Sequence, residues 1–344
     1  MRAMALHAQA PIATHPLRLE EREPPPPGPH EVRVRVAACG ICRTDLHVVE
    51  GDLPLARAPI VPGHQVIGRV EALGAGASRF RPGDRVGIAW LRGTCGACDF
   101  CRSGRENLCP GARFTGYHAD GGFADAALVH EDFAYAVPEA FADVEAAPLL
   151  CAGIIGYRAL ALAAVPSGGR LALYGFGSSA HVTLQIARAR GAEVYVATRE
   201  ASHRALALEL GAAWAGGARD PLPRPAHAAI LFAPAGELVP VALESLERGG
   251  TLALAGIHVS PVPPLDYERH LFYERVLRSV TANTRADGVA FLGEAARAAV
   301  RLRTTIFPLE RANEALDALT RGAFAGSGVL VSSAAPFPTR QERP

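Results

Sequence analysis

At 344 residues, with 49% hydrophobic and 20% charged residues and a net charge of +1, the chain carries enough apolar mass for two domains of ordinary size. The near-neutral balance, without basic blocks, removes any electrostatic case for nucleic acid or an anionic membrane surface as a partner. The opening MRAMALHAQAP lacks the continuous apolar core of a signal peptide, and no apolar run of membrane-spanning length is expected. These features predict a soluble, cytoplasmic protein.

In chain order, the first half reads as irregular β structure. Glu31–Ala38 alternates apolar and charged residues, and Ile67–Leu73 and Arg85–Trp90 are further short strands set between Pro/Gly-rich turns. Glu23–Pro29, a run of prolines, reads as a stiff surface connection rather than a ligand for a proline-binding domain. Around residue 150 the texture changes. Strands Arg170–Tyr174, Glu193–Thr198, Ala228–Ala233 and Thr251–Gly256 alternate with helical segments Ser178–Arg190, Ser202–Leu210 and Gly236–Glu247. Such alternation builds a doubly wound parallel sheet with helices on both faces, so the class is α/β. Beyond about Ser332 the chain has little to bury and reads as a loose tail.

Seven cysteines stand at 39, 42, 95, 98, 101, 109 and 151. Clustered cysteines without a secretion signal suggest metal ligation more than disulfides, and an odd count cannot be fully paired. Cys95, Cys98, Cys101 and Cys109 form CxxCxxCx7C, a spacing that lets four thiolates close around one tetrahedral Zn²⁺. An iron–sulfur cluster accepts four cysteines too. Such a closed shell leaves no corner for substrate, so its role is to pin a lobe poor in apolar residues.

Cys39, Cys42 and Cys151 remain. A catalytic zinc takes three protein ligands and keeps a corner open, and two cysteines with one histidine are a known set. His64, in the tight turn Pro62-Gly63-His64-Gln65, is the best histidine, and Cys151 precedes the α/β half. Spacing alone does not choose between Cys39 and Cys42.

The strand Leu171–Tyr174 runs into Gly175-Phe176-Gly177-Ser178-Ser179-Ala180, followed by Val182, Ile186 and Ala189 at helical spacing. A GxGxxA turn between strand and helix predicts dinucleotide binding, with the pyrophosphate on the helix N-terminus. The next strand ends in Thr198-Arg199 rather than an acid. A hydroxyl and a guanidinium suit a 2′-phosphate, which favours NADP(H), while Glu200 keeps NAD(H) open.

Gly40-Ile-Cys-Arg-Thr-Asp-Leu-His47, Pro62-Gly-His64, the 95–109 lobe, Cys151-Ala-Gly153 and the glycine turn at 175 occur in the order found in one family. Over roughly residues 28 to 331 the chain resembles the zinc-containing alcohol dehydrogenases of the medium-chain dehydrogenase/reductase superfamily. The resemblance implies a GroES-like, mostly-β catalytic domain from 1–150 and 286–344, bearing the zinc lobe 95–109, and a Rossmann domain over 151–285. It implies two Zn²⁺ per chain, with Cys42, His64 and Cys151 on the catalytic ion, and leaves Cys39 as a buried strand-end thiol. Asp45 would accept the free ring N–H of His64, Thr44 would take the substrate proton, and His47 would pass it to solvent. Arg43 resembles the family's pyrophosphate contact, and Leu53 and Trp90 lie where the family lines its alcohol pocket.

The implied reaction is reversible hydride transfer between a primary or aromatic alcohol, or its aldehyde, and a nicotinamide. The implied assembly is a homotetramer or homodimer. Two positions depart from the family pattern: Gln65 stands where the family usually has Glu, and Ile155 where a threonine is common. A polyol or sugar dehydrogenase is the nearest rival, but that branch tends to use glutamate in place of Cys151. A non-catalytic, nucleotide-sensing zinc protein would show missing ligands. A nucleic-acid-binding zinc module would need a basic face, whereas Asp99, Arg102, Arg105 and Glu106 carry mixed charge.

Overall fold

The computed structural model describes residues 1–324 and 326–332, so the tail expected beyond Ser332 lies outside the described residues. The chain divides into two compact units. The first takes Met1–Cys151, Thr284–Leu292 and the chain from Leu302 on; the second takes Ala152–Asn283 and Gly293–Arg301. Residues 293–301 thus go with the second unit, whereas the sequence expectation assigned everything after 286 to the first.

The trunk of the first unit is the strand Glu31–Gly40. Val32, Val34 and Val36 point inward while Glu31, Arg33 and Arg35 stay at least partly exposed, the period-two pattern of a half-buried strand. This one strand pairs antiparallel with Val66–Leu73, with Ala126–His130 and with Ser327–Val331. Thr304–Pro308, Arg85–Ile88 and Ala134–Ala136 complete the seven-stranded sheet. Inside it Val66, Val70, Val86, Ile88, Phe123 and Leu330 pack against the trunk's valines as one core. Two chain ends that matter for chemistry leave this sheet side by side. Gly40 leads to Cys42, and His64-Gln65 lead into Val66. The Gly40 N–H donates to the Gln65 carbonyl at 3.0 Å.

Cys151 arrives by another route. The helix Asp143–Pro148 runs into a π-helical turn, Leu149–Gly153, and then into the helix Ile154–Ala163. Pro148 has no N–H for the α-helical ladder, and the wider turn begins at the next residue. The turn seats on strand Arg85–Ile88 at Gly87, where a β-carbon would come within 2.7 Å of Leu150. Together these segments make a helical run, Asp143–Ala163, of 21 residues, whose most apolar window has a mean hydropathy of 1.6, long and apolar enough to cross a membrane. That corrects the sequence expectation, which missed the run because Pro148 interrupts its pattern. The run behaves as a core helix: 67% of its most apolar window is buried inside the protein.

The second unit is a six-stranded parallel sheet in the order Trp214–Gly216, Glu193–Ala197, Arg170–Tyr174, Ala226–Leu231, Leu246–Leu254, Val276–Ser279. In chain order this is 3-2-1-4-5-6, the doubly wound dinucleotide-binding arrangement, whose ligand crevice lies beyond the carboxyl ends of the central strands. The three central strands Glu193–Ala197, Arg170–Tyr174 and Ala226–Leu231 read as nearly continuous apolar runs because parallel strands are buried on both faces.

Gly63 shows how tightly the loops of the first unit interlock. Its φ of +97° suits only glycine, and a β-carbon there would lie 2.4 Å from Phe123 and 2.9 Å from the Cys39 sulfur. Gly83 also has a positive φ, +94°, yet has open space around it. Alanine at either site carries the backbone strain, and only at 63 does it also overpack the core. Gly63→Ala is therefore expected to lose roughly 1–3 kcal/mol more than Gly83→Ala in parallel urea or thermal unfolding.

Candidate active site

Asp45 occupies the third position of the helix Arg43–Glu50, with Cys42 just before it in extended backbone. One carboxylate oxygen accepts the Cys42 N–H at 2.8 Å, satisfying a donor that the helix start leaves orphaned. The other lies 3.1 Å from Nδ1 of His64, and both side chains are almost fully buried, at 1% and 2% exposure. With Nδ1 engaged as a donor to Asp45, the His64 lone pair sits on Nε2. That nitrogen is 3.4 Å from the Cys42 sulfur. Cys151 joins them, and the three donor atoms all lie within 4.8 Å of one another.

The donor set fits a tetrahedral zinc. Zn–S near 2.3 Å and Zn–N near 2.0–2.1 Å at tetrahedral angles place sulfur and nitrogen about 3.6 Å apart. The crowding also speaks for a cation. The Cys151 thiol hydrogen-bonded to Cys42, together with burial, pushes the Cys42 thiol well up. Burial opposes protonation of His64, but the Asp45 carboxylate and Cys42 outweigh it and raise the ring to about 10. A divalent cation among these donors relieves the repulsion that their ionised forms otherwise carry.

Cys39 is elsewhere. It is 1% exposed, its Sγ donates to the Gly40 carbonyl at 3.6 Å, and burial pushes its pKa well up. Gln65 is buried beside His64, and its side-chain Nε2 has no protein partner. Gly40 makes room for that amide: a β-carbon there would lie 2.5 Å from Gln65 Oε1.

Thr44 is buried in the first helical turn, and His47 follows three residues later on the same face. His47 Nδ1 lies 2.7 Å from a carboxylate oxygen of Asp52, a partner that sequence reading missed. Arg43 is exposed at the start of the helix. Leu53 is half-buried, and its N–H donates to the His47 carbonyl at 3.0 Å. Trp90 meets the His64 ring edge-on, with centroids 5.0 Å apart. Phe114 and Tyr117 stack on it and were also missed, although FTGYH just after the cysteine lobe is dense in rings.

The cysteine lobe brings its four sulfurs together. The Cys95–Cys109 and Cys98–Cys101 pairs are at 3.5 Å, and Cys95–Cys101 at 3.9 Å. A disulfide would require about 2.0 Å, whereas the edge of a Zn–S tetrahedron is about 3.8 Å. Backbone N–H groups of Ala97 and Cys98, then the Cys109 and Cys98 thiols, pull Cys95 down to about 6. The Cys101 N–H favours the Cys98 thiolate, yet burial and the neighbouring thiols win and leave it raised to about 11. Behind the lobe, buried Glu106 accepts the Arg285 N–H at 3.0 Å.

In the second unit, Gly175 ends the strand Arg170–Tyr174 with φ +87°, and a β-carbon there would lie 2.9 Å from the Ala233 nitrogen. Gly177 caps the helix Ser178–Ala189 and has nothing within 4 Å of its β-carbon position, an open cradle at a twelve-residue helix N-terminus. Phe176 and Ala180 are buried beneath this turn, and Ser178 and Ser179 are half-buried in the first helical turn. These groups fit a pyrophosphate. On the neighbouring strand, the Thr198 hydroxyl donates to Glu200 at 3.4 Å, and exposed Arg199 pairs with the same carboxylate at 3.5 Å. Arg204 donates to the carbonyls of Thr198 and Arg199 at 3.0 and 2.6 Å.

Comparison with known proteins agrees with this geometry. Residues 28–139 match the family described as alcohol dehydrogenase GroES-like domain. The chain is 54% identical over 336 residues to a probable alcohol dehydrogenase, AdhA, of Mycobacterium tuberculosis (strain CDC 1551 / Oshkosh), covering 96% of this chain and 97% of that one. It is 34% identical over 331 residues to an alcohol dehydrogenase of Geobacillus stearothermophilus, covering 92% and 96%. Among solved structures it is similar to a cinnamyl alcohol dehydrogenase, SbCAD4, of Sorghum bicolor, with a TM-score of 0.88 and 28% identity, covering 98% and 99%. The chain belongs to the zinc-type alcohol dehydrogenases of the medium-chain dehydrogenase/reductase superfamily.

Proposed function

We propose that this chain is a zinc-dependent alcohol dehydrogenase that interconverts primary and aromatic alcohols with their aldehydes, using NADP(H) in preference to NAD(H). The observation that carries the reading is the convergence of Cys42, His64 and Cys151, three donors that leave one corner of a tetrahedron free. Zinc held there supplies Lewis-acid polarisation of the substrate oxygen, and the nicotinamide supplies the hydride chemistry. A second zinc is assigned to Cys95, Cys98, Cys101 and Cys109.

The protein's own part is orientation and proton movement. Asp45 fixes the tautomer of His64 and keeps its Nε2 directed at the ion. The buried Thr44 hydroxyl would accept the substrate's proton while handing its own on, by way of a ribose hydroxyl of the cofactor, to His47, which is steadied by Asp52 and partly exposed. Gly175 and Gly177 would let the backbone approach a pyrophosphate at the start of the helix Ser178–Ala189, where the N–H groups of Ser178, Ser179 and Ala180 would hold it. The hydroxyl of Thr198 and the guanidinium of Arg199 receive a 2′-phosphate, and Glu200, paired to both, limits the preference over NAD(H). The aromatic surface at Trp90 and the apolar Leu53 accommodate a planar substrate.

We place the protein in the cytoplasm, where all seven thiols stay reduced and the six of the two clusters are available to metal. Its assembly is a homodimer or homotetramer through the edge strand Val276–Ser279. Val276 at 45% exposure, with Phe272 at 55% and Tyr267 at 63%, forms an apolar margin beside unpaired backbone groups.

Metal analysis of the purified protein should give two zincs per chain. Cys42→Ala should keep one zinc and the folded state while turnover falls about 10³-fold, the scale of losing several kcal/mol of charge stabilisation. An enzyme that stays fully active after this change would sink the reading. In steady-state assays kcat/KM with NADP(H) should exceed that with NAD(H) about tenfold, and Arg199→Ala should erase most of the gap. Light scattering should report a dimer or tetramer that Val276→Lys dissociates.

A further inference from the structure

The aromatic group beside His64 is tied to the rest of the first unit in a way that the reaction itself does not require. Trp90 has Phe114 stacked on it at 4.9 Å and 12°, and Tyr117 at 6.1 Å and 24°. The segment carrying these two rings is fastened to the strand beneath. Leu91 pairs with Phe114, and the Thr115 N–H donates to the Trp90 carbonyl at 2.9 Å. The turn is closed on itself: the Phe114 N–H donates to His118 Nδ1 at 3.1 Å, and the His118 N–H returns to the Phe114 carbonyl at 2.9 Å. Burial, with some help from Arg113, lowers the pKa of His118, which favours the neutral ring that can accept this bond.

One hydrogen bond ties these rings to a loop distant in sequence. The Tyr117 hydroxyl donates to the Pro54 carbonyl at 2.8 Å, joining segments 63 residues apart in sequence. Pro54 follows Leu53, whose N–H is held by the His47 carbonyl at 3.0 Å and whose carbonyl is held by Gln9 Nε2 at 2.7 Å. A phenylalanine at 117 would stack on Trp90 equally well, so stacking does not account for the hydroxyl. What the hydroxyl adds is a fixed span between the indole plane and the loop that presents Leu53.

We infer that Tyr117 is a positioning residue that sets substrate width. Its ring holds Trp90 from one side and its hydroxyl holds the Leu53 loop from the other, so the two face a planar aromatic alcohol as one rigid wall. This rests on the assignment of Leu53 and Trp90 to the alcohol pocket made above. A wall of this kind contributes to selectivity between substrates and leaves the chemical step alone. Its loss therefore appears in KM for the aromatic alcohol and not in kcat for a short aliphatic one.

The test uses the zinc-loaded enzyme in a Trp214→Phe background, where Trp90 is the sole tryptophan of the two in the sequence. Benzyl alcohol and ethanol are assayed side by side, and acrylamide quenching of Trp90 emission is measured without substrate. Tyr117→Phe should lower the benzyl-to-ethanol ratio of kcat/KM about fivefold, through KM, and raise the quenching constant, since one neutral hydrogen bond is lost. Tyr117→Leu, which loses the ring as well, should lower the ratio about tenfold or more. A Tyr117→Phe enzyme with unchanged selectivity and unchanged quenching overturns the inference. A parent enzyme inactive on every alcohol, whose quenching nevertheless rises on Tyr117→Phe, overturns the assigned function while the wall stands.

Discussion

The site depends on a single carboxylate. Asp45 has two oxygens and uses them on different parts of the chain, one on the Cys42 N–H and one on His64 Nδ1. The first bond starts a helix and so fixes where Cys42 stands; the second fixes which ring nitrogen of His64 is bare. An asparagine there keeps one acceptor, and its amide can instead donate to Nδ1. That would move the ring proton to Nε2 and turn a donor atom into an N–H facing the ion. A glutamate is one methylene longer and does not fit both bonds in a space where exposure is 2%. The carboxylate tolerates burial because both oxygens are bonded, the condition under which a buried charge persists.

Two further constraints bring the ligands to that carboxylate. The trunk strand delivers Cys42 on one side and, through its partner strand, His64 on the other, so sheet register sets their separation. Register then rests on side-chain alternation, since a one-residue slip would turn Val32, Val34 and Val36 to solvent. Cys151 comes from the π-helical turn, where widening of the ladder displaces one residue from ordinary helical spacing.

What was legible in the sequence was local or periodic. The alternation of Glu31–Ala38, the GxGxxA turn and the CxxCxxCx7C run each keep their information within fifteen residues, and the structure places them as strand, helix start and sulfur cluster. Choosing Cys42 over Cys39 needed the family pattern, because both are strand-end cysteines three residues apart. The structure separates them by burial: Cys39 packs against the space at Gly63 and Gly122. Illegible features depended on partners far along the chain. Tyr117 matters through Pro54, and Glu106 through Arg285; neither pair leaves a trace in spacing. The edge strand Val276–Ser279 has no alternation to read, since its residues are mostly exposed.

The two sulfur sites also differ in charge, and the difference matches where they lie. Four thiolates around a divalent ion would leave a surplus of negative charge, which the lobe could tolerate because Cys95 is exposed and backbone N–H groups point at the sulfurs. Two thiolates and an imidazole would leave none, and among the described residues Asp45 supplies the carboxylate in contact with His64. Gln65 sits buried at this second site, with a side-chain nitrogen that has no protein partner. A glutamate in its place would fill the same space beside Gly40 but would add a second buried negative charge next to Asp45. The amide forgoes any carboxylate contact with the ion. With an ion bound, it would leave Asp45 as the one buried charge beyond the dication and its two thiolates, so that less of the ion's field would be spent on surrounding acids.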